Sequence, residues 1–197
     1  DPDWSRGLGD VYKRQMVSAS KSVHFFDSQT AELVKTIKVP GGGGNFTCLK
    51  DGSKCYVGLR KANAVGVIDM AKLELMKTIE TGPDANRLYL NPGNSRYGLF
   101  ANEAGKSDIV SIIDTQLDVK VKDIWTGLGP HNVAFDPDGK FAVISTKKEN
   151  VATLVDTGSA DPNDWDVITT DLDSGIQNNG VRWVPSPAAL KKALAQN

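Results

Sequence analysis

Histidine is the side chain of this sequence best suited to chemistry, and the chain has only two of them. His131 follows Gly129-Pro130, a turn dipeptide, at the start of an apolar run. An imidazole at such an entrance can ligate a metal ion or transfer a proton. A metal site would need two or three further ligands from elsewhere, so local hydrogen bonding is the alternative and no metal site is predicted. His24 lies in mid-strand and is predicted to be packed and hydrogen-bonded.

Polar side chains stand at equivalent places in four segments that share one pattern. Alignment of the segments on their turns gives two columns, the first with Gly44, Asn86, His131 and Asn179 and the second with Asn45, Arg87, Asn132 and Gly180. Asparagine also serves tight turns and strand entries, which is the structural alternative to ligand binding. Arg60 is expected to reach the same face, and Lys147 and Lys148 are expected to lie on loops at that face. The candidate ligand-binding residues are His131, Asn132, Asn86, Arg87, Asn45, Asn179 and Arg182.

Several other kinds of site are excluded by composition and by missing motifs. The chain has 23 basic and 24 acidic side chains and a net charge of −1, which gives no long-range field for nucleic acid. No apolar run approaches the roughly 20 residues of a membrane span. The glycine-rich stretch at 40–45 has no lysine and no following helix, so it is not a phosphate-binding loop. No catalytic motif is present, and the cofactor, if any, stays open.

The two cysteines bracket a short hairpin. Cys48 and Cys55 flank "LKDGSK", in which Asp51-Gly52 is a strong signal for a tight turn. Such a turn places the two thiols opposite each other on adjacent strands. A cross-strand disulfide would indicate an oxidising compartment, and two half-buried free cysteines are the alternative.

These residues are positioned by a repeat. An apolar run ending in aspartate occurs four times, and the aspartates are spaced 42, 45 and 42 residues apart, at Asp27, Asp69, Asp114 and Asp156. Each copy contains up to four short runs rich in Val, Ile and Thr, separated by turn residues. A period of about 42 residues with four strands per unit is typical of a β-propeller blade. The predicted fold is therefore all-β, a propeller of four-stranded antiparallel blades, with about four repeats present.

The segments "HNVAFDPDGKFAVIS…VATLVDT" and "YVGLRKANAVGVIDMAKLELMKTIETG" resemble the YVTN family of β-propeller repeats. The resemblance covers about residues 16–185, although "YVGL", "YGLF" and "AVIS" stand where the family has "YVTN". It implies a ring of about seven blades and export to the periplasm or the cell surface. It also implies two possible activities, that of a haem- or quinone-linked oxidoreductase subunit and that of a lactone hydrolase.

The two ends of the repeat region are incomplete and complementary. The first copy lacks an inner strand, and the last supplies one, "GVRWVPS", which could complete it. This arrangement predicts three whole blades, at about 45–80, 86–125 and 132–170, and one composite blade. We expect a carboxy-terminal fragment of a seven-bladed ring, with a self-closed four-bladed ring as the alternative. Residues 1–15 are predicted to be a non-native or disordered leader, and residues 186–197 a short helix.

The lack of a catalytic motif favours a binding or scaffold module. Its polar channel mouth would be presented to a small ligand or a protein partner, outside the membrane and without nucleic acid. The alternative is the propeller domain of an exported oxidoreductase or lactone hydrolase, in which His131, Arg87 and Asn132 bind or polarise the substrate. A structural role at the cell surface is a third possibility. Periplasmic or extracellular localisation is implied by the family resemblance.

Overall fold

The chain forms β-strands joined by tight turns. We analysed a computed structural model that describes residues 14–19, 21–103, 107–174 and 181, and these residues contain fifteen strands in four antiparallel sheets. Blade I has three strands, β1 (Arg14–Ala19), β2 (Ser22–Asp27) and β3 (Leu33–Lys38). No helix within the described ranges is long and apolar enough to cross a membrane.

The other three blades have four strands each, in sequential order. Blade II consists of β4 (Gly43–Cys48), β5 (Lys54–Leu59), β6 (Ala64–Asp69) and β7 (Glu74–Glu80). Blade III consists of β8 (Ala85–Leu90), β9 (Tyr97–Asn102), β10 (Ile109–Asp114) and β11 (Val119–Trp125). Blade IV consists of β12 (Pro130–Phe135), β13 (Phe141–Thr146), β14 (Val151–Asp156) and β15 (Asp166–Asp173).

The predicted blades are confirmed. The sheets span 43–80, 85–125 and 130–173, within three residues of the expected bounds. Among the described residues, blade I consists of β1, β2 and β3, with β1 innermost. The segment predicted to complete it, and the helix at 186–197, lie outside the described residues apart from Val181. Of the predicted leader, only Arg14 and Gln15 are described, and both lie in β1.

The repeated aspartate caps the hairpin between the third and fourth strands of each blade. In blade II, the Asp69 carboxylate accepts the backbone N–H groups of Ala71 and Lys72, at 2.9 and 3.0 Å. The Asp27 and Asp114 carboxylates accept the same two bonds in their own hairpins. Aspartate side chains commonly satisfy turn backbones in this way, so the period of the sequence reports the period of the hairpins.

Neighbouring blades pack through apolar side chains. Strand β5 shows how one strand serves two interfaces, because alternate residues point to opposite faces. Its Cys55, Val57 and Leu59 pack towards blade I, and Tyr56 packs towards blade III. A third cluster, which includes Ile112 and Trp165, fills the space between blades III and IV. The middle strands are therefore buried on both faces, which accounts for their nearly continuous apolar runs.

A polar clamp links blades II and III at the hairpin end. The buried Tyr56 hydroxyl donates to Asp118 Oδ1 at 2.6 Å and lies 3.0 Å from the carbonyl oxygen of Thr115. Lys54 Nζ donates to Asp118 Oδ2 at 2.7 Å. Burial, together with the hydrogen bond to Asp118, raises the pKa of Tyr56 far above its ordinary value, so the phenol stays a neutral donor.

Removing the Tyr56 hydroxyl should destabilise the protein. We expect Tyr56→Phe to lower the free energy of unfolding by about 1–3 kcal/mol, because the buried Asp118 loses a donor. Urea unfolding measures the change. The matched control is Tyr97→Phe, since that ring packs edge-on against Trp165 and its hydroxyl has no hydrogen-bond partner among the described residues. Equal effects of the two substitutions would contradict the clamp.

The structure joins Cys48 and Cys55 in a disulfide across β4 and β5, the pairing that the sequence leaves open beside two free cysteines. The two residues are directly opposite in the strand register, with Cα atoms 4.0 Å apart. The turn between them places Gly52 at a φ of 69°, a left-handed conformation that glycine adopts readily. The Asp51 carboxylate caps the turn by accepting the backbone N–H of Ser53 at 3.0 Å.

Reduction should weaken the fold. Closing so short a loop reduces the entropy of the unfolded chain, so we expect a loss of about 2–3 kcal/mol on reduction. Intact mass before and after reduction tests the bond, and urea unfolding with and without reductant tests its effect. A Cys48→Ser/Cys55→Ser variant should match the reduced protein and ignore reductant. A wild-type protein that also ignores reductant would overturn this expectation.

Candidate ligand-binding site at the channel mouth

One end of the blades gathers the predicted site residues. The inner strands β4, β8 and β12 begin at this end, and the second strands β5, β9 and β13 finish there. In a propeller the inner strands line the central channel. We call this end, formed by the first residues of the inner strands and the residues that follow the second strands, the channel mouth.

Glu103 is the centre of the mouth. Its side chain is 9% exposed, and its carboxylate is contacted from three blades. Oε2 accepts from Asn86 Nδ2 of blade III at 2.6 Å and from Arg60 Nη1 of blade II at 3.1 Å. Oε1 is 3.0 Å from His131 Nε2 and accepts a hydrogen bond from Lys147, both of blade IV. A single carboxylate thus connects three consecutive blades.

The charged residues of this cluster occupy equivalent positions. Arg60, Glu103 and Lys147 each follow the last residue of the second strand of their blade. The signs therefore alternate from blade to blade, and the middle residue attracts both neighbours. Sequence alignment of the repeats alone shows three different side chains in this column. The complementarity becomes visible only when the blades lie side by side.

The Glu103 carboxylate is held in its ionised form. Burial opposes ionisation, but the hydrogen bond from Lys147 and the electrostatic interactions with His131, Lys147 and Arg60 outweigh it, so the pKa of Glu103 lies below its ordinary value. Both oxygens already accept from two partners. Glu103 is therefore a structural acceptor whose lone pairs are occupied.

Arg60 is fixed by a second carboxylate. Its Nε and Nη2 donate to the two oxygens of Asp84 at 2.6 and 2.7 Å, which is the bidentate geometry that favours specific arginine–carboxylate pairing. Burial lowers the pKa of Arg60, but Asp84 and Glu103 raise it more. Its side chain remains 40% exposed, so this cation forms part of the rim of the mouth.

Four of the predicted site residues belong to one network. Asn45 Nδ2 of blade II donates to Asn86 Oδ1 at 2.9 Å. Asn132 Nδ2 lies 2.9 Å from His131 Nδ1. With Asn132 donating to Nδ1, the Nε2–H of His131 is the donor to Glu103. These side chains come from the two aligned columns of the sequence, and the structure brings them together.

Tyr89 was not predicted from the sequence, and it supports the network through a hydrogen bond to Asn132. Its hydroxyl donates to Asn132 Oδ1 at 2.6 Å, across the interface between blades III and IV. Burial, with a smaller contribution from Glu103, raises the pKa of Tyr89 despite the opposing charge of Arg87. The phenol is therefore a neutral donor that holds Asn132 in place.

Arg87 stands apart from the network. It is exposed on β8, and its guanidinium carbon lies 5.2 Å from the centroid of the Tyr89 ring, within cation–π range. No carboxylate or carbonyl accepts a hydrogen bond from Arg87 in the part of the chain that the structure describes. The two remaining predicted residues, Asn179 and Arg182, lie outside that part.

Glu103, Asp84 and Tyr89 are the residues that the sequence analysis missed. Arg60 and Lys147 were already expected at the mouth, so the matching position in blade III was the signal that could have found Glu103. The described residues contain no group of three or more His, Cys, Asp or Glu side chains placed to hold a metal ion. His24 is hydrogen-bonded through both ring nitrogens, to Ser22 and Thr36, as predicted.

Known structures support the fold. No protein-family model matches the chain, and no curated protein matches it. The chain is similar to a solved structure described as Kuenenia stuttgartiensis hydrazine synthase, with a TM-score of 0.69 and 23% sequence identity. The match covers 80% of this chain and 45% of that one, so the chain spans less than half of that protein. The fold is that of β-propeller blades. At this identity the likeness concerns the fold alone, and membership of the YVTN family stays a prediction.

The ionised state of Glu103 predicts an acid-sensitive mouth. Because the pKa of the folded state lies below the ordinary value of 4.5, the stabilisation is complete above that value and is lost as the pH falls through the folded pKa. Glu103→Gln should be less stable near neutral pH and lose less stability on acidification. Urea unfolding between about pH 7 and pH 3 measures both effects. Glu74→Gln, at an exposed ion pair with Lys35, is the control. Parallel curves for Glu103→Gln and the wild type would refute the assignment.

Proposed function

We propose that the chain is a binding module that holds a small molecule at the channel mouth. The observation that carries the proposal is the network around Glu103, which fixes polar side chains from three blades beside the inner strands. Side chains that are ordered before binding lose little conformational entropy when a ligand arrives. The half-exposed cations Arg60 and Lys147 keep part of their surface open at the rim.

The enzymatic alternative has less support. An exported oxidoreductase or lactone hydrolase would need His131, Arg87 and Asn132 to bind or polarise a substrate. Both ring nitrogens of His131 have partners in Glu103 and Asn132, and the Asn132 side chain is held by His131 and Tyr89, so of these three residues Arg87 alone lies outside the network. This arrangement favours recognition over proton transfer. Periplasmic or extracellular localisation is part of the proposal and is supported by the disulfide, because disulfides persist in oxidising compartments.

A screen with an isotopically labelled chain tests the binding role. We expect a fragment library containing acids, bases and neutral polar compounds to give hits that shift the backbone amide signals of Asn45, Arg87 and Asn132 in two-dimensional NMR spectra. Asn132→Ala should weaken those hits by about tenfold, because it removes the partner of both His131 and Tyr89. Asn163→Ala, on an exposed turn of blade IV, is the matched control.

Two results would refute the binding role. One is a library without any hit at the mouth. The other is a set of hits confined to the hairpin end near Lys54 and Arg96, where an open cleft of about 540 Å³ lies between blades II and III. If a protein partner contacts the mouth and no small molecule binds there, the ligand of the module is a protein and the small-molecule proposal is wrong.

A further inference from the structure

A depression lies on the inner-strand wall and extends from Arg87, near the channel mouth, towards Pro92 in the turn after β8. It has a volume of about 320 Å³ and crosses the inner strands of blades II, III and IV. Its polar lining comes from Arg87, Tyr89 and Thr47, and its apolar lining includes Leu90, Val133 and Phe135. The depression therefore has a cationic part and an apolar part within one small space.

The cation of this depression is available for a ligand. Arg87 is exposed and contacts the face of the Tyr89 ring, which is itself held by the hydrogen bond to Asn132. The Glu103 carboxylate, which could compete for this cation, already accepts from four donors of its own. A guanidinium over an aromatic ring keeps its N–H edges free, and those edges match the two oxygens of a carboxylate.

The charges of the mouth also favour an anion. Among five described residues of this region, the three cations Arg60, Lys147 and Arg87 exceed the two carboxylates Glu103 and Asp84 by one positive charge. That excess stands on Arg87, because the other four residues pair with one another. An anion that enters the depression is therefore attracted to Arg87.

We propose that the depression binds a small organic monocarboxylate with an aromatic or branched aliphatic body. The carboxylate pairs with Arg87, and the apolar body lies on Leu90, Val133 and Phe135. The volume is at the low end for ligand pockets, which favours a compact molecule. A single guanidinium suits one carboxylate better than a doubly charged phosphate, which usually recruits several donors. This inference rests on the proposed binding role and names its ligand class.

Matched probes test the ligand class. Phenylacetate combines both features, phenylacetamide keeps the shape without the charge, and acetate keeps the charge without the ring. We expect phenylacetate to shift the amide signals of β8 and β12 and to bind at least about tenfold more tightly than the other two compounds. Phenylacetamide lacks the charge-assisted hydrogen bond to Arg87, and acetate lacks the contact of the ring with the apolar lining. Phenethylamine, a cation of similar shape, should not bind.

Substitution of Arg87 provides the second test of the ligand class. Arg87→Gln should abolish the preference for phenylacetate over phenylacetamide, and Arg87→Lys should retain part of it, since lysine keeps the charge without the planar fork. Lys77→Gln removes an equal charge from the exposed outer strand β7 and should leave the affinity unchanged. Urea unfolding of each variant establishes that the fold is retained.

The outcomes separate this inference from the binding role. Equal affinity for phenylacetate and phenylacetamide, or unchanged affinity in Arg87→Gln, overturns the carboxylate site. If other library compounds still bind at the mouth, the binding role survives that result. If no compound binds there at all, both proposals fail together.

Discussion

The arrangement of the mouth depends on one buried carboxylate. An ionised glutamate that is 9% exposed carries a large desolvation cost unless donors surround it, and the donors of Glu103 come from blades II, III and IV. The carboxylate is tolerable only when the three blades are in register, and it in turn helps to hold the loop ends that carry Arg60 and Lys147. Apolar packing sets the distance between the sheets, and this network sets the relative position of their ends.

The two ends of the blades are stabilised in different ways, and this difference supports the proposed site at one of them. At the hairpin end, Tyr56 and Lys54 bind Asp118 and consume its oxygens. Between the ends, the middle strands are buried on both faces, so their side chains are not accessible to a ligand. At the mouth, the inner strands have only one neighbouring strand in their sheet, so their edges and alternate side chains face the channel. Arg87 is exposed for this reason.

The fold could be predicted from the sequence because its signals are local. The aspartate of each hairpin caps a turn two and three residues later, so the period of Asp27, Asp69 and Asp114 follows directly from the chain. The proximity of Asn86 and His131 was also predictable, since equivalent positions in neighbouring blades lie at the same end. The place of Glu103 could have been found from the matching positions of Arg60 and Lys147, but its role as their common partner could not, because each copy carries a different side chain at that position. Complementarity of this kind is a property of pairs of repeats, whereas an alignment compares single positions.

The same reasoning explains why the structural charges and the recognition charge are different residues. The charges that hold the blades together must be saturated, because an unpaired buried carboxylate or ammonium would destabilise the packing. A charge that recognises a ligand must be unsaturated until the ligand arrives. Arg60, Glu103 and Lys147 meet the first condition, and Arg87, whose partner among the described residues is the ring of Tyr89, meets the second. An anion can therefore bind to Arg87 without drawing donors away from Glu103, so the ligand need not disturb the contacts that align the blades.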